Sequence, residues 1–286
     1  MKFAGKTALL FLMIGTFAAS AFIGSFLRRR DKIARRRFCI AHASWWGSAG
    51  LRVMGIKTRV VGRPASASFN KNCLIVANHM SYLDVMILAS KIPTAFVTSV
   101  DMGEIPVLGD IANFCGSIFV ERRDRSRIDR DLGAMTEALK NDFVVSIYPE
   151  GTSTNGQRIL PFKKSLLMSA VDAGREIQPV CLRYLEIDHE PFSPTNCDKV
   201  CWYGKMSFMP HLLSVLRLKA VVAELLFLEP ISVAGMVNSE EARQEIARRS
   251  RGAIDRAYFA GREWLRAPAD ALALTDQNPK PAMTRA

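Results

Sequence analysis

Residues 73–84 read Cys73-Leu74-Ile75-Val76-Ala77-Asn78-His79-Met80-Ser81-Tyr82-Leu83-Asp84, which is five apolar residues, a polar break and the opening of a helical pattern. An unbroken apolar run this short reads as a strand buried on both faces, the kind found in sheets covered by helices. In such sheets active sites collect at the carboxyl ends of the strands. His79 stands at that end, and Asp84 follows five positions later, near enough to fold back through the turn onto one ring nitrogen. The other nitrogen would then be free to act as a base. The same residues also have a purely structural reading, because Ser81 and Asp84 are spaced as a helix capping box. On this stretch alone both readings stay open.

Outward from it, from about residue 58, short β-rich runs alternate with helical segments. Strands are expected at 73–77, 95–98, 117–120, 143–148, 177–182, 200–203 and 221–228. Helices are expected at 128–140, with Ile128, Leu132, Met135 and Leu139 on one stripe and Ser126 and Asp129 as a capping box, and at 165–173, closed by Gly174. A third should run from near Ser239 to about Trp264. The alternation predicts an α/β fold, a mostly parallel or mixed sheet flanked by helices. Residues 267–286, rich in Ala and Pro without periodicity, are expected to be disordered.

The N-terminus has a different character. Residues 7–27 carry no charge and are mostly apolar, and as a helix they would be ~31 Å long against a hydrocarbon core of ~30 Å. Arg28, Arg29, Arg30, Lys32, Arg35, Arg36 and Arg37 follow, so the positive-inside rule leaves the C-terminal body in the cytoplasm of an inner-membrane protein. A cleaved signal peptide is the rival reading, since Ala19-Ser20-Ala21 resembles a cleavage site, but an Arg cluster just past the cut opposes export. Residues 38–54, with Trp45-Trp46, suit a helix at the head-group interface or a buried one. Residues 1–57 thus read as the membrane anchor and 58–266 as the catalytic domain.

The chain's net charge of +12 is confined to residues 1–64, which hold thirteen Lys or Arg against the single acid Asp31. Excess charge beside an apolar helix points to anionic head groups or to topology, not to nucleic acid. Six cysteines without CxxC pairing read as reduced core residues, and no metal site is apparent.

Two further stretches carry chemistry. Residues 143–148 lead into Pro149-Glu150-Gly151-Thr152-Ser153-Thr154-Asn155-Gly156, a turn able to present a carboxylate and backbone donors, or simply a turn. Gly116-Ser117-Ile118-Phe119-Val120-Glu121-Arg122-Arg123 is a strand that empties into paired guanidinium groups suited to phosphate, although surface Arg pairs are common.

Together the three stretches resemble the four-block signature of the glycerophospholipid acyltransferases, the family that contains the 1-acylglycerol-3-phosphate acyltransferases. The resemblance covers roughly residues 60 to 230, in the family's order. His79 and Asp84 match the first block, Gly116 to Arg122 the second, Pro149 to Thr152 the third, and Ile177-Gln178-Pro179-Val180 a weaker fourth. Ser153 stands where many members carry Arg, and Ser165, after Lys163-Lys164, replaces a frequent Gly.

The resemblance implies that His79 deprotonates an acceptor hydroxyl attacking a thioester, with Asp84 aligning the ring. It implies that Arg122 and Lys163 hold the acceptor phosphate, while Glu150, Gly151 and Thr152 shape the acceptor site. The donor would be a thioester of acyl carrier protein or coenzyme A, used as a cosubstrate with no bound cofactor. The acceptor would be a membrane lysolipid: lysophosphatidate first, another lysophospholipid or an amino-acid lysolipid otherwise. A lipid hydrolase is the rival enzyme, and the chain has no Gly-x-Ser-x-Gly elbow; a tethered lipid-binding protein is the rival without chemistry.

Overall fold

The strand that opens at Leu74 forms because Leu74, Ile75, Val76 and Ala77 are β-prone or small and all four are buried, so both of its faces are covered. The computed structural model describes residues 2–62, 72–105, 108–121 and 127–266. In chain order the helices α1 (Phe3–Leu27) and α2 (Lys32–Met54) are followed by β1 (Ile56–Val61), β2 (Leu74–Ala77), α3 (Tyr82–Ala89), β3 (Ala95–Ser99), α4 (Val100–Gly103) and α5 (Leu108–Phe114). Next come β4 (Ile118–Val120), α6 (Ile128–Lys140), β5 (Val145–Ile147), α7 (Met168–Ala173), β6 (Ile177–Ile187) and β7 (Glu190–Pro191). The chain continues through α8 (Phe208–Arg217), β8 (Val221–Phe227) and α9 (Glu240–Phe259).

Among the described residues the strands make one eight-stranded sheet in the order β1-β8-β6-β2-β5-β3-β4, with β7 on the side of β6. Pairing is parallel from β6 through β4 and between β1 and β8, and antiparallel between β6 and β8. The mixed α/β architecture is the one expected. Its centre is β2, flanked by β5 and β6, so the turns after β2 and β5 emerge at adjacent carboxyl ends. Where β2 ends, the Asn78 amide continues the ladder in place of backbone: Nδ2 donates to Leu182 O at 3.0 Å and Oδ1 accepts from Leu182 N at 2.8 Å.

Several expected boundaries move. The run 200–203 is no strand; a tight turn at Cys197–Lys199 ends with Cys201 N donating to Cys197 O at 2.8 Å, and the buried Val200 and Cys201 join the core from irregular chain. An edge strand begins at Ile56, so the 57/58 border falls inside β1. Helix α6 starts after Arg127 with no side-chain cap, and Ser126 lies outside the described residues, as does the tail 267–286. Asp131 of α6 instead accepts from Glu121 N at 2.6 Å, fixing the end of β4. Helix α8, which no expectation covered, buries His211, Leu212, Val215 and Leu216 on one side.

Helix α2 is longer than expected. Asp31 accepts from Ile33 N and Ala34 N, which draws Lys32 and Arg35–Arg37 into the helix, and Gly55 closes it at φ 81°. Helix α1 is long and apolar enough to cross a membrane. It does not stand apart from the body: it lies antiparallel on α2 and touches α5 and α8. Lys6, Leu10, Phe17, Ala21 and Gly24 form its buried stripe, while Phe11, Leu12, Phe22, Ile23 and Phe26 face outward.

Candidate active site

Site geometry begins with the turn between β2 and α3. Ser81 is the N-cap of α3 and, with Asp84, completes the capping box, Asp84 Oδ2 accepting from Ser81 N at 2.8 Å. The same oxygen accepts from Met80 N at 2.6 Å and lies 2.9 Å from His79 Nδ1. The two readings of Ser81 and Asp84 are therefore both realised, and the cap is what pins the carboxylate against the ring. A carboxylate only accepts, so Nδ1 carries the proton and Nε2 the lone pair. The His79 side chain is 21% exposed and Asp84 is fully buried, so the ring opens outward from a dry support.

Block-to-block stitching fixes the His79 backbone as well. His79 N donates to Glu150 Oε1 at 2.8 Å, and Thr154 N donates to His79 O at 3.0 Å, both from the turn after β5. Glu150 Oε2 accepts from Leu160 N at 2.8 Å, and Arg251 of α9 donates to the Ile159 and Leu160 carbonyls. Glu150 is 5% exposed and both its oxygens face backbone donors, so it sits behind His79 as a brace. Burial pushes its carboxyl up to about 8, against the opposing pull of the two N–H groups.

Gly151 adopts φ 74°, and a Cβ there would lie 2.5 Å from Lys163 Nζ, so the exposed Lys163 crosses directly over this glycine. Thr152 is exposed on the same turn. Ser153, the residue that departs from the family pattern, turns its hydroxyl onto Trp202 O, while Trp202 N donates to Met80 O at 2.8 Å. Gly116, at φ 75°, lets the approach to β4 abut Cys39 and Ile40 of α2. Arg122 lies outside the described residues. The structure thus brings His79, Asp84, Glu150, Gly151, Thr152 and Lys163 to one end of the sheet.

Sequence reasoning missed three contributors. Tyr148 stacks on the His79 ring with centroids 4.2 Å apart and planes 18° from parallel. Tyr184 of β6 donates from its hydroxyl to Asp84 Oδ1 at 2.7 Å. Arg251 holds the loop behind Glu150. A tyrosine in an apolar strand reads as core, so only tertiary pairing could reveal the first two. Among the described residues no cluster of His, Cys, Asp or Glu could hold a metal ion, and no disulfide joins any of the six cysteines.

Known proteins resemble this chain in sequence and in fold. Residues 57–183 match the family model described as Acyltransferase. The chain is 28% identical over 213 residues to a lyso-ornithine lipid O-acyltransferase of Rhizobium meliloti (strain 1021), covering 72% of each chain. It is 36% identical over 126 residues to a 1-acyl-sn-glycerol-3-phosphate acyltransferase of Neisseria gonorrhoeae, covering 44% of this chain and 49% of that one. Its fold is similar to the crystal structure of the 1-acyl-sn-glycerophosphate (LPA) acyltransferase PlsC of Thermotoga maritima, with a TM-score of 0.60 at 22% identity over 88% of this chain and 94% of the other. The matched residues 57–183 hold the His79–Asp84 pair and the Pro149–Thr152 turn, so the part of the chain that carries the site is similar to the acyltransferase family.

Proposed function

We propose that the protein transfers a fatty acyl group from a thioester of acyl carrier protein or coenzyme A to the free hydroxyl of a lysolipid held at the bilayer surface. The observation that carries this reading is the 2.9 Å contact of His79 Nδ1 with a buried Asp84, which leaves Nε2 as a base at the sheet's carboxyl ends. His79 takes the hydroxyl proton as the acceptor oxygen bonds to the thioester carbon. The resulting imidazolium, stabilised by Asp84, returns that proton to the departing thiolate as the C–S bond breaks. No acyl-enzyme is needed. Exposed Lys163, with Arg122, supplies cations for the acceptor's head group.

Lysophosphatidate is one acceptor of this class. A lyso-amino-acid lipid is the second, and Ser153 favours it: the position holds a hydroxyl committed to Trp202 O, so the turn lacks the cation that a phosphate would meet there. Helix α1, with its outward apolar face, places the protein on the membrane, and the charge excess of residues 1–64 suits a cytoplasmic leaflet.

The test is acyl transfer by purified, vesicle-reconstituted protein, offered each acyl donor with lysophosphatidate or lyso-ornithine lipid. Wild type should form the diacyl product with at least one acceptor. His79→Ala should lose ~10²–10⁴-fold of the rate with its fold intact. Undiminished turnover by that variant would refute the assignment.

A further inference from the structure

Asp84 is surrounded by more donors than a capping box and a dyad require. Its Oδ2 serves His79 Nδ1, Met80 N and Ser81 N, and its Oδ1 accepts the hydroxyl of Tyr184, a residue 100 positions away on β6. That phenol cannot swing clear. Tyr184 is fully buried, its ring stacks on Phe192 at 6.0 Å, and its carbonyl accepts from Arg262 Nη2 at 2.9 Å.

We propose that Tyr184 is a positioning residue for the transfer reaction. By holding Asp84 Oδ1, its hydroxyl limits how strongly the carboxylate draws on the imidazole proton and so sets the pH at which His79 becomes a base. The inference rests on the reading of His79 as that base. A hydrogen bond to a carboxylate spreads its charge, so the acceptor power left for Nδ1–H falls and the imidazolium is stabilised less. Burial first, and then Asp84, raise the Tyr184 phenol well above its ordinary range, so it stays a donor wherever the enzyme works.

Other groups face this centre. Tyr148 and Glu150 approach from β5 and its turn, Cys201 from the irregular segment, and Tyr258 from α9, with Arg262 over the Tyr258 ring. Next to Tyr184, Arg183 is paired with Glu224 of β8. Tyr148, Cys201 and Tyr258 are pushed upward by burial and stay neutral in the working range. Glu150, at about 8, titrates, but it does so in parent and variant alike.

The test is an NMR titration of the His79 ring in detergent micelles, which is tractable with four histidines in the chain and assignable with His79→Ala. In Tyr184→Phe the His79 pKa should rise by about one unit, and the acid limb of kcat/KM should move up with it. Site-specific 3,5-difluorotyrosine at position 184, a stronger donor of nearly the same shape, should move both downward, which guards against a Phe variant that fails to fold. An unmoved His79 pKa, a shift in the opposite direction, or a loss of rate equal at every pH would overturn the proposal. Because the titration needs no turnover, its outcome is separate from that of the His79→Ala assay.

Discussion

Glu150 carries the least intuitive electrostatics of the site. Its oxygens accept from His79 N and Leu160 N, which favours the anion, yet burial outweighs them and lifts the carboxyl from 4.5 to about 8. Between those values the folded chain keeps a proton that the unfolded chain has released. This group's contribution to stability is therefore complete below 4.5 and is lost as the pH climbs through 8, by up to ~1.4 kcal/mol per pH unit. Glu150→Gln cannot titrate, so the variant should lose that slope: its urea midpoint, followed from pH 5 to 8.5 in one detergent, should fall less than the parent's. Equal slopes would mean the carboxyl is ionised throughout. At this scale the sequence was informative only where spacing is local. His79 and Asp84 lie within one turn, so their meeting was legible; Tyr184 reaches Asp84 only because β6 lies beside β2, and the bracing role of Glu150 appears only once β5 is placed on the other side.

Helix α1 is tied to the body near its start by one buried cation. Lys6 Nζ donates to Leu218 O at 2.7 Å and Met54 O at 3.1 Å, the carbonyls at the carboxyl ends of α8 and α2, where the helix dipoles are negative. Lys6→Met leaves both carbonyls unpaired in a buried setting and should lower the stability of the whole chain in detergent by ~1–3 kcal/mol, read as a lower unfolding midpoint. An unchanged midpoint would show that α1 is a detachable anchor. Farther along, Gly24 admits the Phe38 ring, and Ser20 Oγ lies 2.9 Å from His42 Nε2, so the pairing extends over most of the helix. Elements with strong local signals were legible: the β2 run, the α6 stripe and the α9 start at Ser239, whose side chain caps Ala242 N. Those decided by tertiary contacts were not. The 200–203 run is apolar because it is buried, not because it is extended, and β1 is an edge strand with one buried residue, so it carries no buried pattern to read.

For the molecule as a whole, the α1–α2 pair decides how the sheet sits on a membrane. A transverse α1 would have to leave the body, but α2 is tied to α3 by Ser44 Oγ to Ala89 O at 2.7 Å and Ser48 Oγ to Ser90 O at 3.2 Å, and α1 is tied to α2 near both of its ends. The body carries charge beside each end. Arg217 lies over the Phe3 ring at 4.6 Å, and Arg28 over Phe38 at 4.5 Å. Tipping the unit until α1 spans, with these contacts kept, would carry the parts of α2, α5 and α8 packed along it to hydrocarbon depth, where each Arg or Lys near the centre costs ~2.5–3.5 kcal/mol. With α1 lying along the surface, both ends stay among head groups while Leu12 and Phe26, on one outward face, enter the acyl region. Those two positions are 14 residues apart, or ~21 Å along the helix. A fluorophore on a cysteine placed at Leu12 or at Phe26 should therefore report nearly equal depth when quenched by lipids labelled at graded positions. The native cysteines interfere little, five of the six being buried. Depths differing by most of that ~21 Å would instead mean that α1 crosses the bilayer, and that the contacts joining it to α2 and α8 come apart in the membrane.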